Sequence, residues 1–339
     1  MSETANERAN RTVPSVIAAA IGHEMAADPA VLALGEDVGR LGGVFGATKG
    51  LQERFGAERV FDTPIAEMAF TGMGVGLAMS GFRPIVEIMF VDFVGVCLEQ
   101  VFNAAAKIPL MSGGRQKMPI VFKTAGGCIG SAAQHSQCLW GLFAHLPGLK
   151  VVAPCSPRDH AGLMASAIQS DDPVVFIEHK ALLLRKLKEF RHNPDVPDSR
   201  FAIPLGRAEI VRPGRDVTLA TLSASVEYAL EAAEIVAAEG IDVEVVDLRT
   251  VVPLDVDTVA ASAARTGRLL VVDEDYLSFG LSAELAMRVL EKLGPSALRQ
   301  ISRLAVPDIA IPAALSLEQE IVPGATAIAA RLRRMSGGA

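Results

Sequence analysis

The chain has 339 residues, half of them apolar, with a mean hydropathy of +0.34 and a formal net charge of −7. That length suggests two domains and leaves material for a large buried core, built mostly from Ala, Val, Leu and Ile because only 5% of the residues are aromatic. The acidic balance argues against nucleic acid or an anionic membrane as partner.

Residues 1–12 read as a disordered arm whose polar Met1–Arg11 stretch has no apolar signal core. Val13–Ala27 has Ala-rich helical patterning and stops at Asp28-Pro29; Val31–Leu34 is a short buried strand that runs into Gly35-Glu36-Asp37-Val38-Gly39. Gly42, Gly43 and Gly46 mark a loop, of a kind that approaches cofactors but more often simply turns. No GxGxxG follows a strand and no GxxxxGK[ST] occurs, so a nicotinamide oxidoreductase or a P-loop enzyme has no motif behind it.

The stretch Phe61–Phe93 organises the rest of the chain. Phe61-Asp62-Thr63-Pro64-Ile65-Ala66-Glu67 leads into an uncharged run, Met68–Phe82, too short to span a bilayer. Glu67 therefore stands at a helix N-terminus, where backbone N–H groups and the helix dipole favour a negative charge. Such a residue is either a favourable end charge or, at the edge of an apolar helix, a carboxyl able to hold a proton. Gly72, Gly74 and Gly76 cost helix propensity and suggest a close neighbour. A strand comes next, over Arg83–Met89.

Val94–Lys107 reads as a helix and Pro119–Thr124 as a buried strand, succeeded by the loop Ala125–Ser131 and then Gln134-His135-Ser136-Gln137. His135 in this polar loop fits either a surface hydrogen-bonding group or a tuned site; His145 is structural, and the other four histidines have no constellation. Leu149–Ala153, Pro157–Gln169 and Pro173–Glu178 continue as strand, helix, strand. The alternation predicts an α/β fold with a mostly parallel sheet and helices on both faces, whose ligands belong at the strand C-termini. The four cysteines, Cys97, Cys128, Cys138 and Cys155, show no CxxC spacing and read as free thiols in a reducing compartment, so a soluble cytoplasmic protein is expected.

From Arg185 to Pro204 charges and prolines cluster as in an interdomain linker. A second doubly wound unit has strands near Asp216–Leu222, Asp242–Asp247, Arg268–Asp273 and Arg299–Ala305. The expected organisation is an arm over 1–12, a first domain over 13–184, a linker over 185–205 and a second domain over 206–339.

Gly35–Gly39, Phe61–Glu67, Phe90-Val91-Asp92-Phe93, Gln134–Gln137, His145–Val152 and Asp247-Leu248-Arg249-Thr250 with Pro253-Leu254-Asp255 together carry a family resemblance. The chain resembles the β subunit of the thiamine-diphosphate-dependent first component of 2-oxo acid dehydrogenase complexes, of pyruvate or acetoin type. The resemblance implies a transketolase-like pyrimidine-binding domain and a transketolase C-terminal domain. It implies that Glu67 hydrogen-bonds N1′ of the aminopyrimidine, that Phe93 packs on that ring, and that Glu36, Ile65 and Met89 lie near the cofactor. It makes His135 the active-site histidine, suited to proton transfer when the acyl group passes to a lipoyl disulfide. Ile65, Met68 and Phe93 are expected to surround Glu67 with apolar groups.

The resemblance further implies an α subunit in a heterotetramer of two α and two β chains, with magnesium held by the α chain because Gly-Asp-Gly followed by Asn is absent here. A lipoyl-bearing acyltransferase core would be the second partner. Some relatives hold potassium; the equivalent positions are Ile120, Ala167, Ile168, Ser170 and Asp172, with Ser170 replacing an acidic ligand. Met89 stands where many relatives carry Gln. The runs Met89–Cys97 and Glu178-His179-Lys180 look more like acetoin-cleaving members, which use the same ylide chemistry, than branched-chain ones. A non-catalytic assembly subunit of the same fold is the remaining alternative, against which Glu67 and His135 both argue.

Overall fold

A computed structural model describes residues 9–337. They form two units, one comprising the chain up to Gly126 with Phe143–Leu205, the other Gly127–Leu142 with the chain from Gly206 onward. In the first unit the strands are β1 (Val31–Gly35), β2 (Val60–Asp62), β3 (Arg83–Phe90), β4 (Val121–Gly126), β5 (Lys150–Val152) and β6 (Val174–His179). They run side by side in the order β5-β6-β4-β3-β1-β2, every neighbouring pair parallel. β1, β4 and β6 are buried along their whole length, as strands covered on both faces must be.

Helix Val13–Ala27 opens with Pro14 in its first turn, where a missing N–H costs nothing. It packs on helix Pro157–Gln169, whose N-cap Ser156 accepts from the Asp159 N–H. Helix Glu67–Met79 lies on β3, and a Cβ on Gly74 would collide with Val86, so that glycine lets the helix approach the sheet. Gly76 has open space instead, and nothing in the structure explains it. The expected helix over Val94–Lys107 is mixed: an α-helix at Val94–Glu99 continues as a π-helical segment over Gln100–Ala105. By length and hydropathy alone the stretch Val91–Met111 would pass as a membrane span; here its helices pack against Glu67–Met79.

The chain termini and the 185–205 stretch have definite surroundings where they are described. Residues 1–8 of the expected arm lie outside the described residues, and Thr12 forms an antiparallel bridge with Lys186. Residues 185–205, expected as a linker, belong to the first unit as far as Leu205. Val196 and Phe201 pack against Val16, Ala20, Ala161 and Leu187, and Arg200 grips the buried Glu24 at 2.7 Å. Apolar residues spaced among the charges are enough to dock the segment.

In the second unit the strands are β7 (Glu209–Arg212), β8 (Val217–Thr221), β9 (Val243–Asp247), β10 (Thr250–Val252), β11 (Arg268–Tyr276) and β12 (Gln300–Val306). Its sheet runs β12-β11-β8-β9-β7, parallel except for the edge strand β7. Asp255 caps helix Val256–Thr266 by accepting from the Thr258 N–H, and Gly267 ends that helix in the left-handed conformation.

Candidate active site

Three neighbouring strands of the first unit, β2, β1 and β3, deliver one candidate residue each at their C-terminal ends. Glu36 comes directly after β1. Glu67 opens the helix after β2, with Ala66 as N-cap. Phe93 closes a 3-10 turn immediately after β3. This edge is where open parallel sheets bind ligands.

The loop between β1 and β2 is shaped by Asp62, whose carboxylate accepts from the Gly39 N–H at 2.6 Å and the Arg40 N–H at 3.3 Å. Glu36 is nearly buried, and its Oε1 has no hydrogen-bond partner among the described residues. Burial raises its carboxyl above the usual carboxylate range, and the charges of Glu67 and Asp37 add to the shift. Burial raises the Cys97 thiol, and the Glu67 charge adds to that shift. Glu36, Glu67 and Cys97 thus share one electrostatic neighbourhood. Phe93 stands edge-on to Phe90 at 5.4 Å, and Phe90 edge-on to Phe45 at 6.2 Å.

Of the apolar residues expected around Glu67, Phe93 is half-buried but Ile65 and Met68 face outward among the described residues. Ile65 is 82% exposed and Met68 50% exposed, because Pro64, Ile65 and Ala66 cross the surface between β2 and the helix. Met89 is half-buried at the end of β3, next to a register irregularity between Ile88 and Phe90. His135 is half-buried in the Gly127–Leu142 segment, which belongs to the second unit, whereas Glu36, Glu67 and Phe93 lie in the first. Two carboxyls in one electrostatic neighbourhood, with a buried Glu36 oxygen that has no hydrogen-bond partner among the described residues, fit a group that presents a ring nitrogen able to share a proton, as an aminopyrimidine does.

Comparison with known proteins identifies the family. Residues 10–185 match the transketolase pyrimidine-binding domain and residues 206–328 the transketolase C-terminal domain. The chain is 44% identical to the acetoin:2,6-dichlorophenolindophenol oxidoreductase subunit beta of Cupriavidus necator, over 94% of this chain and 96% of that one. It is 43% identical to the mitochondrial pyruvate dehydrogenase E1 component subunit beta-2 of Oryza sativa subsp. japonica (92% and 82% covered). It is 42% identical to the pyruvate dehydrogenase E1 component subunit beta of Rickettsia felis (92% and 94%). The chain belongs to this family of β subunits. Among solved structures, a split-gene transketolase described as an inactive beta4 tetramer superposes with a TM-score of 0.77 at 22% identity, covering 96% of this chain and 98% of that one; at that identity it speaks for the fold alone.

The potassium positions that the family implies do not fit an ion in this β subunit. The carbonyls of Ile168 and Ser170 accept from Arg83 Nη1 at 3.1 and 3.0 Å. Ser170 Oγ accepts from Lys150 Nζ at 3.0 Å, and the Asp172 carboxylate pairs with the same ammonium at 2.9 Å. The Ala167 carbonyl accepts from the Ser170 N–H at 3.2 Å, and the Ile120 carbonyl from the Val174 N–H at 2.9 Å. Two side-chain cations already supply the positive charge there.

Behind the candidate edge the β subunit buries a charge cluster that sequence reading missed. Lys123 on β4 lies 3.0 Å from Glu87 on β3 and 3.1 Å from Glu178 on β6. All three are buried, so one ammonium faces two carboxyls. The two carboxyls raise the Lys123 ammonium further, against burial as the largest opposing effect. Burial pushes Glu178 up to about 7, against the pull of Lys123 and with the push of Glu87. The adjacent His160, fully buried with Nδ1 2.9 Å from the Ser156 carbonyl, is lowered to about 4 by burial. The signal was present as lone charges inside three apolar strands.

Glu178 makes stability depend on pH. Its folded pKa lies above the unfolded one, so the stability it contributes is complete below about pH 4.5 and is lost as pH rises through about 7. Glu178→Gln carries no such charge. Its melting temperature, relative to that of the parent, should rise between pH 5 and pH 8; a constant difference would show that Glu178 does not titrate in this window.

Proposed function

We propose that this chain is the β subunit of a thiamine-diphosphate-dependent, pyruvate-type 2-oxo acid dehydrogenase, active only together with an α subunit. The enzyme decarboxylates the 2-oxo acid and passes the acyl group to the lipoyl group of an acyltransferase core. The observation that carries this reading is that Glu36 and Glu67 follow adjacent parallel strands closely enough for the Glu67 charge to raise the Glu36 carboxyl, with a buried Glu36 oxygen that has no hydrogen-bond partner among the described residues.

The cofactor, when bound, supplies a carbon nucleophile for the substrate carbonyl and holds the electrons left by decarboxylation. Glu67 holds the proton shared with N1′ of the aminopyrimidine. Glu36, its carboxyl raised by burial and by the Glu67 charge, would offer the cofactor a hydrogen bond of its own. Phe93 would hold the flat face of the ring. His135 moves a proton to the lipoyl sulfur during acyl transfer.

The α chain brings the magnesium ligands, since the chain carries no Gly-Asp-Gly motif followed by Asn. The first unit leaves Ile65, Met68, Met73, Val96, Leu110 and Met111 exposed, an apolar surface suited to a partner. Two α and two β chains form the working assembly, and the compartment is cytoplasmic. A second reading, acetoin cleavage by the same residues, is favoured by the Cupriavidus necator relative matched along 96% of its length.

The purified chain alone should not turn over. With an α chain, magnesium thiamine diphosphate and an artificial electron acceptor, pyruvate should be oxidised; preference for acetoin in the same assay selects the second reading. Full turnover by the single chain would overturn the proposal.

A further inference from the structure

The segment that carries His135 has almost no regular structure before the short helix Trp140–Ala144, so its backbone donors need partners of another kind. Within itself it is closed at the neck, where the Gly127 N–H donates to the Gln137 carbonyl at 2.9 Å. The Cys128 thiol donates to the Ser136 carbonyl at 3.2 Å, and the His135 N–H to the Ala132 carbonyl at 3.2 Å. Side chains far along the chain anchor it further: the Tyr276 hydroxyl donates to Gln137 Oε1 at 3.3 Å, and four carboxyls accept from the segment. The Cys128 N–H donates to Glu274 Oε1 at 2.9 Å. The Gly130 N–H sits between both oxygens of Glu318, at 2.9 and 3.0 Å. Trp140 Nε1 donates to Asp273 Oδ1 at 2.8 Å, and the Gly141 N–H to Asp275 Oδ2 at 2.8 Å.

All four carboxyls are buried, and hydrogen bonds from backbone N–H groups to carboxylates are stronger than neutral ones. They have different duties. Asp273 also accepts from the N–H groups of Asp275 (3.0 Å) and Ser282 (3.1 Å), so it ties its own turn together as well. Glu274, near the end of β11, and Glu318, on helix Leu315–Ile321, reach to the loop itself and meet it on the glycine-rich arm that leads to His135. Leu315, from the same helix as Glu318, lies under Gly130, where a Cβ would touch its Cδ1 at 3.6 Å.

We propose that Glu274 and Glu318 are positioning residues for His135, fixing the arm of the loop that presents the imidazole. The inference rests on the proposed role of His135 in acyl transfer. Removing either acceptor frees a backbone donor and loosens the arm while leaving Glu36, Glu67 and Phe93 untouched.

The test uses the complex reconstituted with an α chain and a lipoylated acceptor domain. Glu318→Ala should speed amide hydrogen exchange over residues 128–135 by about tenfold or more, the equivalent of one charge-assisted hydrogen bond, with exchange in β8 and β9 unchanged. Acyl transfer to the lipoyl group should fall by about the same factor, while turnover with the artificial acceptor stays near the parent value. Glu318→Gln, which keeps a side-chain carbonyl oxygen, should restore most of both. Combined with His135→Ala, the Glu318→Ala change should cost nothing further, because the two act through one group. Unchanged exchange over 128–135 overturns the proposal, as does an equal loss in both assays or a fully additive double variant. An absence of thiamine-diphosphate-dependent turnover in the parent complex sinks the functional reading instead, and the role in transfer falls with it.

Discussion

Glu67→Gln should lower turnover of the reconstituted enzyme by roughly 10²–10⁴-fold, the usual worth of a positioned general acid–base group. The amide is nearly isosteric and sits at a partly exposed helix start, so the cost to folding is at most about 1 kcal/mol from the lost end charge. What disappears is the ability to share a proton with a ring nitrogen. If Glu67 were merely a favourable end charge, the pattern would reverse, with a slightly lower melting temperature and nearly parental kinetics. Glu36→Gln should be milder, since burial and the Glu67 charge already favour its neutral form.

Lys123→Met should be the most destabilising single substitution considered, at about 3–5 kcal/mol, because it strips a buried cluster of its cation and leaves two carboxyls facing each other. The loss should shrink at acid pH, where both carboxyls take up protons. Adding Glu87→Gln and Glu178→Gln to Lys123→Met should recover much of the stability by removing the uncompensated charges. Denaturant unfolding at pH 7.5 and pH 5 gives these differences directly; equal midpoints for Lys123→Met and its parent would mean that the cluster contributes nothing.

The sequence revealed the fold where strands are buried on both faces. β1, β4 and β6 read as apolar runs and the helices between them as periodic patterns, so the parallel architecture was legible in both halves. The three-residue β2 and the antiparallel edge strand β7 were not, since neither is long enough nor patterned enough to stand out. The placement of Glu67 was legible from the uncharged run behind it. The exposure of Ile65 and Met68 was not, because an apolar residue looks the same in a core as on a surface awaiting a partner. Least legible was the attachment of the His135 loop. Its anchors, Glu274 and Glu318, lie more than a hundred residues away and meet backbone N–H groups, which leave no mark in a sequence.

Hydrogen–deuterium exchange at the thiazolium C2 in the reconstituted complex tests directly whether Glu67 holds the proton on which the cofactor's reactivity depends. Exchange should be fast in the parent and slowed by roughly 10²-fold or more in Glu67→Gln, with the assembly intact. Exchange at the parental rate in the Gln variant would contradict that role and would remove Glu67 from the chemistry.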